Sequence, residues 1–260
     1  MDHSSQAEIV RRIDAALQRA QEIFQRFTPG EIEAEYKSGL DPVTEADRAV
    51  DEALRAELLA HDEGWLSEES VDDFSRLQKR RVWIVDPLDG TREFVAGVPE
   101  FCVSVAMVED GVPVAGGICN PATNEVFLGS LAAGVTYNGA PVHASRRASL
   151  AGATILASRS ESRRGEWKRF GAADFTIRPM GSVAYKLALV AAGLADATFT
   201  LVPKHEWDVA GGAALVESAG GRVRTLGGEP LRCNNRSLRI SGLLACGAGL
   251  LEPLQALIRG

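Results

Sequence analysis

Two aspartates separated by a proline and a leucine, Asp86-Pro87-Leu88-Asp89, followed by Gly90-Thr91, are the residues of this 260-residue chain best suited to chemistry. Carboxylates this close repel each other, and one pKa would rise unless a cation lay between them. A hard divalent metal is the natural partner, and magnesium suits an all-oxygen site. Proline stiffens the turn that carries the pair. Taken alone, Asp, Pro and Gly are equally at home in a plain turn. Gly90-Thr91, however, precedes a helical turn expected through Arg92-Glu93-Phe94-Val95, whose backbone N–H groups could receive a phosphate oxygen. Metal and anion sites would then adjoin.

Other candidates have bland readings when met singly. Glu68-Glu69 follows Gly64-Trp65-Leu66-Ser67, which brings a carboxylate to an expected strand end. Asp208 stands before an apolar helix and Asp47 on the first turn of another, where an aspartate commonly caps backbone N–H groups. Lys186, on an amphipathic helix, reads as a solvated end, and Arg159 in the same way. His205 and Glu206 neighbour Asp208 and could line a pocket with it.

These residues need elements to hold them. Apolar positions at three- and four-residue steps predict helices over Ala7 to Phe27 and Ala46 to His61. Arg81 to Val85 reads as a buried strand that ends at the acidic run, and Phe101 to Glu109, Val112 to Asn120 and Glu125 to Ser130 read as strands of an antiparallel sheet. After a turn-rich stretch from Asn138 to Leu150, Thr154 to Ser158 predicts a strand, and Val183 to Gly193 and Val209 to Ala219 predict helices. A lobe boundary near residue 150 follows, giving lobes of 1–148 and 149–260.

A net charge of -7 argues against DNA or RNA as the main partner and favours local cations, such as bound metals, if the substrate is anionic. Cys102, Cys119, Cys233 and Cys246 lie far apart and read as reduced structural thiols. The N-terminal residues lack an apolar signal-peptide core, and no stretch reaches the about 18 apolar residues of a membrane span. A cytoplasmic enzyme is expected.

Four ordered segments, Asp41-Pro42-Val43-Thr44-Glu45-Ala46-Asp47, Ser67-Glu68-Glu69-Ser70, Trp83 to Thr91 and Trp207-Asp208-Val209-Ala210-Gly211, together resemble the inositol monophosphatase superfamily. Gly181-Ser182 and the stretch to Gly193-Leu194-Ala195-Asp196 extend the likeness over nearly the whole chain. The resemblance implies an α+β / α/β fold, a layered αβαβα sandwich. It implies two or three magnesium ions: Glu68, Asp86 and the Leu88 carbonyl on one, Asp86, Asp89 and Asp208 on a second, and a weaker third near Glu68. Thr91, bonded to Asp47, would position and deprotonate the attacking water, with Glu68 also in the catalytic set. The substrate would be a small phosphorylated metabolite contacting Asp89, Gly90, Thr91, Arg159, Gly181, Ser182, Lys186, His205 and Glu206. Sensitivity to lithium and assembly as a homodimer also follow from the likeness.

The inositol-specific branch carries an acidic residue shortly after the element matching Asp196, yet here Ala197 to Pro203 holds no carboxylate, and the next is Glu206. The continuation Thr91-Arg92-Glu93-Phe94 and Ser158-Arg159-Ser160 are similar to the bacterial 3'(2'),5'-bisphosphate nucleotidase branch. The implied substrate is 3'-phosphoadenosine 5'-phosphate (PAP), with inositol 1-phosphate, fructose 1,6-bisphosphate and histidinol phosphate as alternatives. Selectivity is expected from Lys37 to Leu40, Arg92-Glu93, Arg159, Gly181 to Lys186 and Thr200 to Glu206. An aspartyl-phosphate mechanism wants one residue between its aspartates, not two. An inactive regulatory homologue would have lost a ligand, whereas every position is filled.

Overall fold

The computed structural model describes residues 3–32, 34–36, 42–60, 62–171 and 174–259. Helix α1 (His3–Phe24), a two-stranded pair β1 (Glu35–Tyr36) and β2 (Pro42–Val43), and α2 (Glu45–Leu58) come first. A seven-stranded sheet follows: β3 (Gly64–Ser67), β4 (Arg81–Asp89), β5 (Cys102–Glu109), β6 (Val112–Asn120), β7 (Glu125–Ser130), β8 (Gly134–Tyr137) and β9 (Ala140–Val142), in spatial order as in sequence. The short helix α3 (Thr91–Val95) joins β4 to β5.

The second sheet contains β10 (Ala153–Ser158), β11 (Phe175–Met180), β12 (Ala197–Thr200), β14 (Gly221–Thr225) and β16 (Leu243–Gly247), in the order β11-β10-β12-β16-β14. A small pair, β13 (Lys204–His205) with β15 (Arg239–Ile240), stands beside it. Helices α4 (Arg159–Arg164), α5 (Val183–Ala191), α6 (Glu206–Ser218) and α7 (Leu251–Arg259) complete the chain.

Alternation along β4 shows how the layers form. Trp83 and Val85 join the core beneath α1 and α2, where Ile13, Leu17 and Leu54 are buried. Val82 and Ile84 point the other way, into a core shared with α5 and α6 and with Leu156, Val223 and Ala245 of the second sheet. Side chains of successive strand residues leave opposite faces, so one strand serves two cores. A third core, including Ile155, Phe199 and Leu244, packs under Leu254 of α7 and under Trp167 and Phe170. The result is helix, sheet, helix, sheet, helix, the expected αβαβα sandwich.

Two adjacent glycines of β6 let helices close on both faces of the large sheet. A Cβ on Gly116 would lie 2.4 Å from the Gly211 carbonyl oxygen of α6, and one on Gly117 would lie 2.3 Å from Ile13 Cγ2 of α1. Neither contact is tolerable, so Gly117 sets the closeness of α1, and Gly116 sets the depth of α6 and hence the height of Asp208.

The strands expected to form an antiparallel sheet, now β5, β6 and β7, do so, and β3 joins the same sheet in parallel with β4. Other sequence expectations are corrected. The strand begun at Arg81 does not stop at Val85 but continues to Asp89. The stretch read as turns from Asn138 contains β9, joined to β8 by Asn138 and Gly139, both with positive φ, as a tight hairpin requires. Helix α2 ends at Leu58, and His61 lies outside the described residues. No helix among the described residues is long and apolar enough to cross a membrane. All four cysteines are free and buried.

Candidate active site

Asp86 pairs with Ser104 and Asp89 with Cys102, so three steps along β4 match two along β5. The extra residue falls within Pro87-Leu88, and Pro87 has no N–H to give the ladder. In a regular strand, residues three apart face opposite sides. The bulge returns both carboxylates to the side of Val82 and Ile84, towards α5 and α6.

Glu68 arrives next to Asp86 because β3 runs parallel to β4 with Ser67 opposite Val85, which makes the following residues neighbours. Asp208 comes from α6, at the third helical position. It is not the N-cap that its sequence setting suggested: His205 holds that place, and its N–H donates to Asp208 Oδ2 at 2.8 Å. One oxygen each from Glu68, Asp86 and Asp208 lie within 4.8 Å of one another.

Asp86 is 1% exposed and accepts the Leu88 N–H at 3.0 Å. Burial, then the charges of Glu68, Asp89, Asp208 and Asp47, push its carboxyl well above the usual range. Anionic oxygens gathered in so little water are stable as a set only around a cation. The donors are all oxygen, which fits a hard divalent ion such as magnesium.

Asp89 is held from α5. Its Oδ2 accepts Ser182 Oγ–H at 2.7 Å and Ala184 N–H at 2.5 Å. Asp47 sits in the first turn of α2 as expected, where its Oδ2 accepts the Thr44 N–H at 2.7 Å and the Thr44 hydroxyl at 2.6 Å. Burial raises its carboxyl to about 6 against the lowering effect of those bonds. Thr91 Oγ1 lies 3.3 Å from Asp47 Oδ1 and 2.9 Å from the Leu88 carbonyl oxygen. A hydroxyl has one proton, so it donates to one of these at a time.

A cleft of about 320 Å³ opens over these groups. Its lining includes Glu68, Asp86, Leu88, Asp89, Gly90, Thr91 and Asp208, together with Arg159, Gly181, Ser182, Lys186 and His205. Lys186 is not the solvated helix end that its sequence setting suggested. It is 4% exposed, its ammonium donates to the carbonyls of Gly181 and Ser182, and burial lowers its pKa to about 8. Arg159 reaches the Glu100 carboxylate, and its Nε is 3.9 Å from Glu93 Oε1. Burial, then Asp89, raises the Glu93 carboxyl. His205 stacks on Trp207 with ring centroids 4.6 Å apart.

Glu206 leaves the expected set. Residues two apart on a helix point to nearly opposite faces, and Glu206 faces away from Asp208. Fully buried, it accepts the N–H groups of Asn234 and Asn235 at 2.7 and 2.9 Å and thereby anchors that loop. Of the selectivity residues expected, Lys37 to Leu40 lie outside the described residues. Sequence reasoning missed Glu100, which ties Arg159 to the Gly181 N–H, accepted at 2.6 Å. Nothing in the Pro99-Glu100 dipeptide signals that role. Trp207, the platform under His205, has no sequence signal beyond its place before Asp208.

The Inositol monophosphatase family model matches residues 6–258. An inositol monophosphatase of Mesembryanthemum crystallinum is 32% identical over 225 residues, 81% of this chain and 82% of that one. Among solved structures, an IMPase of Thermotoga maritima superposes with a TM-score of 0.83 at 27% identity, covering 94% of each chain. CysQ from Bacteroides thetaiotaomicron, described as a bacterial member of the inositol monophosphatase family, superposes at 0.75 with 27% identity, over 93% of this chain and 97% of that one. The strand bulge, the converging carboxylates and the layered sandwich therefore belong to a phosphatase, and the chain is a member of the inositol monophosphatase family.

Proposed function

We propose that this phosphatase uses magnesium held by Glu68, Asp86, the Leu88 carbonyl, Asp89 and Asp208, and that its substrate carries a second phosphate, PAP being the first choice. When bound, magnesium supplies Lewis acidity at the phosphate and acidifies water at the site. Thr91 Oγ1 accepts a hydrogen bond from the attacking water and passes its own proton towards Asp47 Oδ1, so Asp47 works as the base through Thr91. Gly90 and Thr91, at the start of α3, support the phosphate oxygens. Asp86 and Asp89 stay rigid because the bulge and the α5 bonds fix them. Inhibition by lithium, and by excess calcium, follows from competition for the same oxygens.

The observation that carries the choice of substrate is the charge of the remaining lining. With the metal carboxylates set aside and Lys186 committed to the carbonyls of Gly181 and Ser182, the cleft lining holds three cations, Arg92, Arg159 and Lys204, against Glu93, with Glu100 behind Arg159. A neutral polyol needs no such excess; a second phosphate does, and arginine is the side chain best shaped to grip it. Absence of a carboxylate between Ala197 and Val202 supports the same choice. Inositol 1-phosphate is the second reading, favoured by the name of the Mesembryanthemum relative. Measuring kcat/KM on PAP, inositol 1-phosphate, fructose 1,6-bisphosphate and histidinol phosphate tests the choice. PAP should lead by about tenfold or more; a lead by inositol 1-phosphate overturns it.

A further inference from the structure

Ser182 has φ 48° and ψ 125°, a conformation that residues other than glycine rarely adopt. Next to it a Cβ on Gly181 would lie 2.4 Å from Glu93 Cδ, so a larger residue there would displace the Glu93 side chain. The bend at Ser182 has a consequence one layer away, because it aims Ser182 Oγ and the Ala184 N–H together at Asp89 Oδ2. Something must hold it. Glu100 accepts the Gly181 N–H at 2.6 Å, and Ser182 Oγ accepts the Tyr185 N–H at 3.0 Å. Lys186 does the rest: its Nζ donates to the Gly181 carbonyl at 3.1 Å and to the Ser182 carbonyl at 2.6 Å. Two carbonyls converging on one buried point would be left unpaired by an apolar side chain.

We propose that Lys186 is a positioning residue which, by gripping the carbonyls of Gly181 and Ser182, holds the left-handed turn that fixes Asp89 for metal binding. This rests on the metal-phosphatase reading above. The sign of one effect separates it from a simple charge. A cation near the carboxylates repels a divalent ion, so removing Lys186 as a charge alone tightens metal binding. Removing it as the clamp of the turn loosens Asp89 and weakens metal binding.

The test is a calorimetric titration of the whole chain with Mn²⁺, for wild type, Lys186→Met, Ser182→Ala and the double variant. The Kd for Mn²⁺ is expected to rise about tenfold or more in each single variant. The double variant should stay within about twofold of the weaker single one, because both act on one turn. On PAP, kcat should fall in Lys186→Met with KM held within about twofold. An unchanged or lower Kd in Lys186→Met, fully additive losses, or a loss confined to KM overturns the proposal. Should Lys186→Met give no cooperative melting transition, Lys186→Gln is judged by the same Kd criterion. A wild-type chain that neither binds Mn²⁺ nor hydrolyses any phosphate ester overturns the metal-phosphatase reading and this proposal with it. Wild-type binding with unaffected variants overturns this proposal alone.

Discussion

Thr91 Oγ1 lies 3.3 Å from Asp47 Oδ1, so the first turn of α3 meets the first turn of α2 beside the end of β4. The other Asp47 oxygen is committed to capping through Thr44, which leaves Oδ1 as the face turned to the chemistry. Asn in place of Asp47 keeps the shape and a capping acceptor but removes the carboxylate proposed as the base. Asp47→Asn is expected to lower kcat about 10²- to 10⁴-fold, with little change in Tm. Steady-state kinetics beside a thermal melt check both halves.

Asp86 presents the opposite balance between activity and stability. Its folded pKa is raised by burial and by like charges, so a carboxyl that readily takes up its negative charge in the unfolded chain burdens the metal-free fold above its ordinary pKa. Asp86→Asn removes that charge with almost no change of volume. The metal-free variant should melt about 2 °C or more above metal-free wild type, with turnover abolished. Calorimetry in chelator is the measurement, and a lower Tm contradicts the electrostatic account.

Arg159 should govern selectivity and not the chemical step. Its guanidinium sits between Glu100 and Glu93 at the cleft wall. Arg159→Met is expected to raise KM for PAP about tenfold or more through loss of a charge-assisted contact, while KM for inositol 1-phosphate stays within about twofold. Equal losses on both substrates would assign Arg159 to holding Glu100 and Gly181 instead.

Away from the site, Glu63 ties α1 to the large sheet. It accepts Arg12 Nη1 and Nη2 at 3.0 and 2.7 Å and Trp83 Nε1 at 2.8 Å. Burial opposes its charge, yet these bonds outweigh burial and hold its pKa below the usual glutamate value. A depressed folded pKa gives stability that is present above the unfolded pKa and is lost as pH falls through the folded one. Glu63→Gln should therefore lower stability at pH 7 by about 1–2 kcal/mol and flatten its fall at acid pH. Urea titrations from pH 7 downwards read both effects.

Much of the site was legible because its chemistry is local. The Asp86 to Thr91 run announces paired carboxylates, and Glu68 follows a strand that pairs in register with β4. The bulge was not legible as such: Pro87 signals a broken ladder, but only the pairing with Ser104 and Cys102 reveals that both carboxylates share a face. Lys186 was misread because its partners are backbone carbonyls, which carry no sequence signature. Glu206 was misread because nearness to Asp208 in sequence is not nearness on a helix. Of the layers, the period of α1 and α2 was plain, whereas the parallel entry of β3 depends on a crossover that no single segment encodes.

Metal catalysis at this site requires that PAP hydrolysis depend on magnesium. Wild-type protein stripped with chelator should show no turnover, regain it on addition of magnesium, and lose it again with lithium, while Asp86→Asn stays inactive throughout. Undiminished turnover in chelator, or full activity in Asp86→Asn, would contradict it.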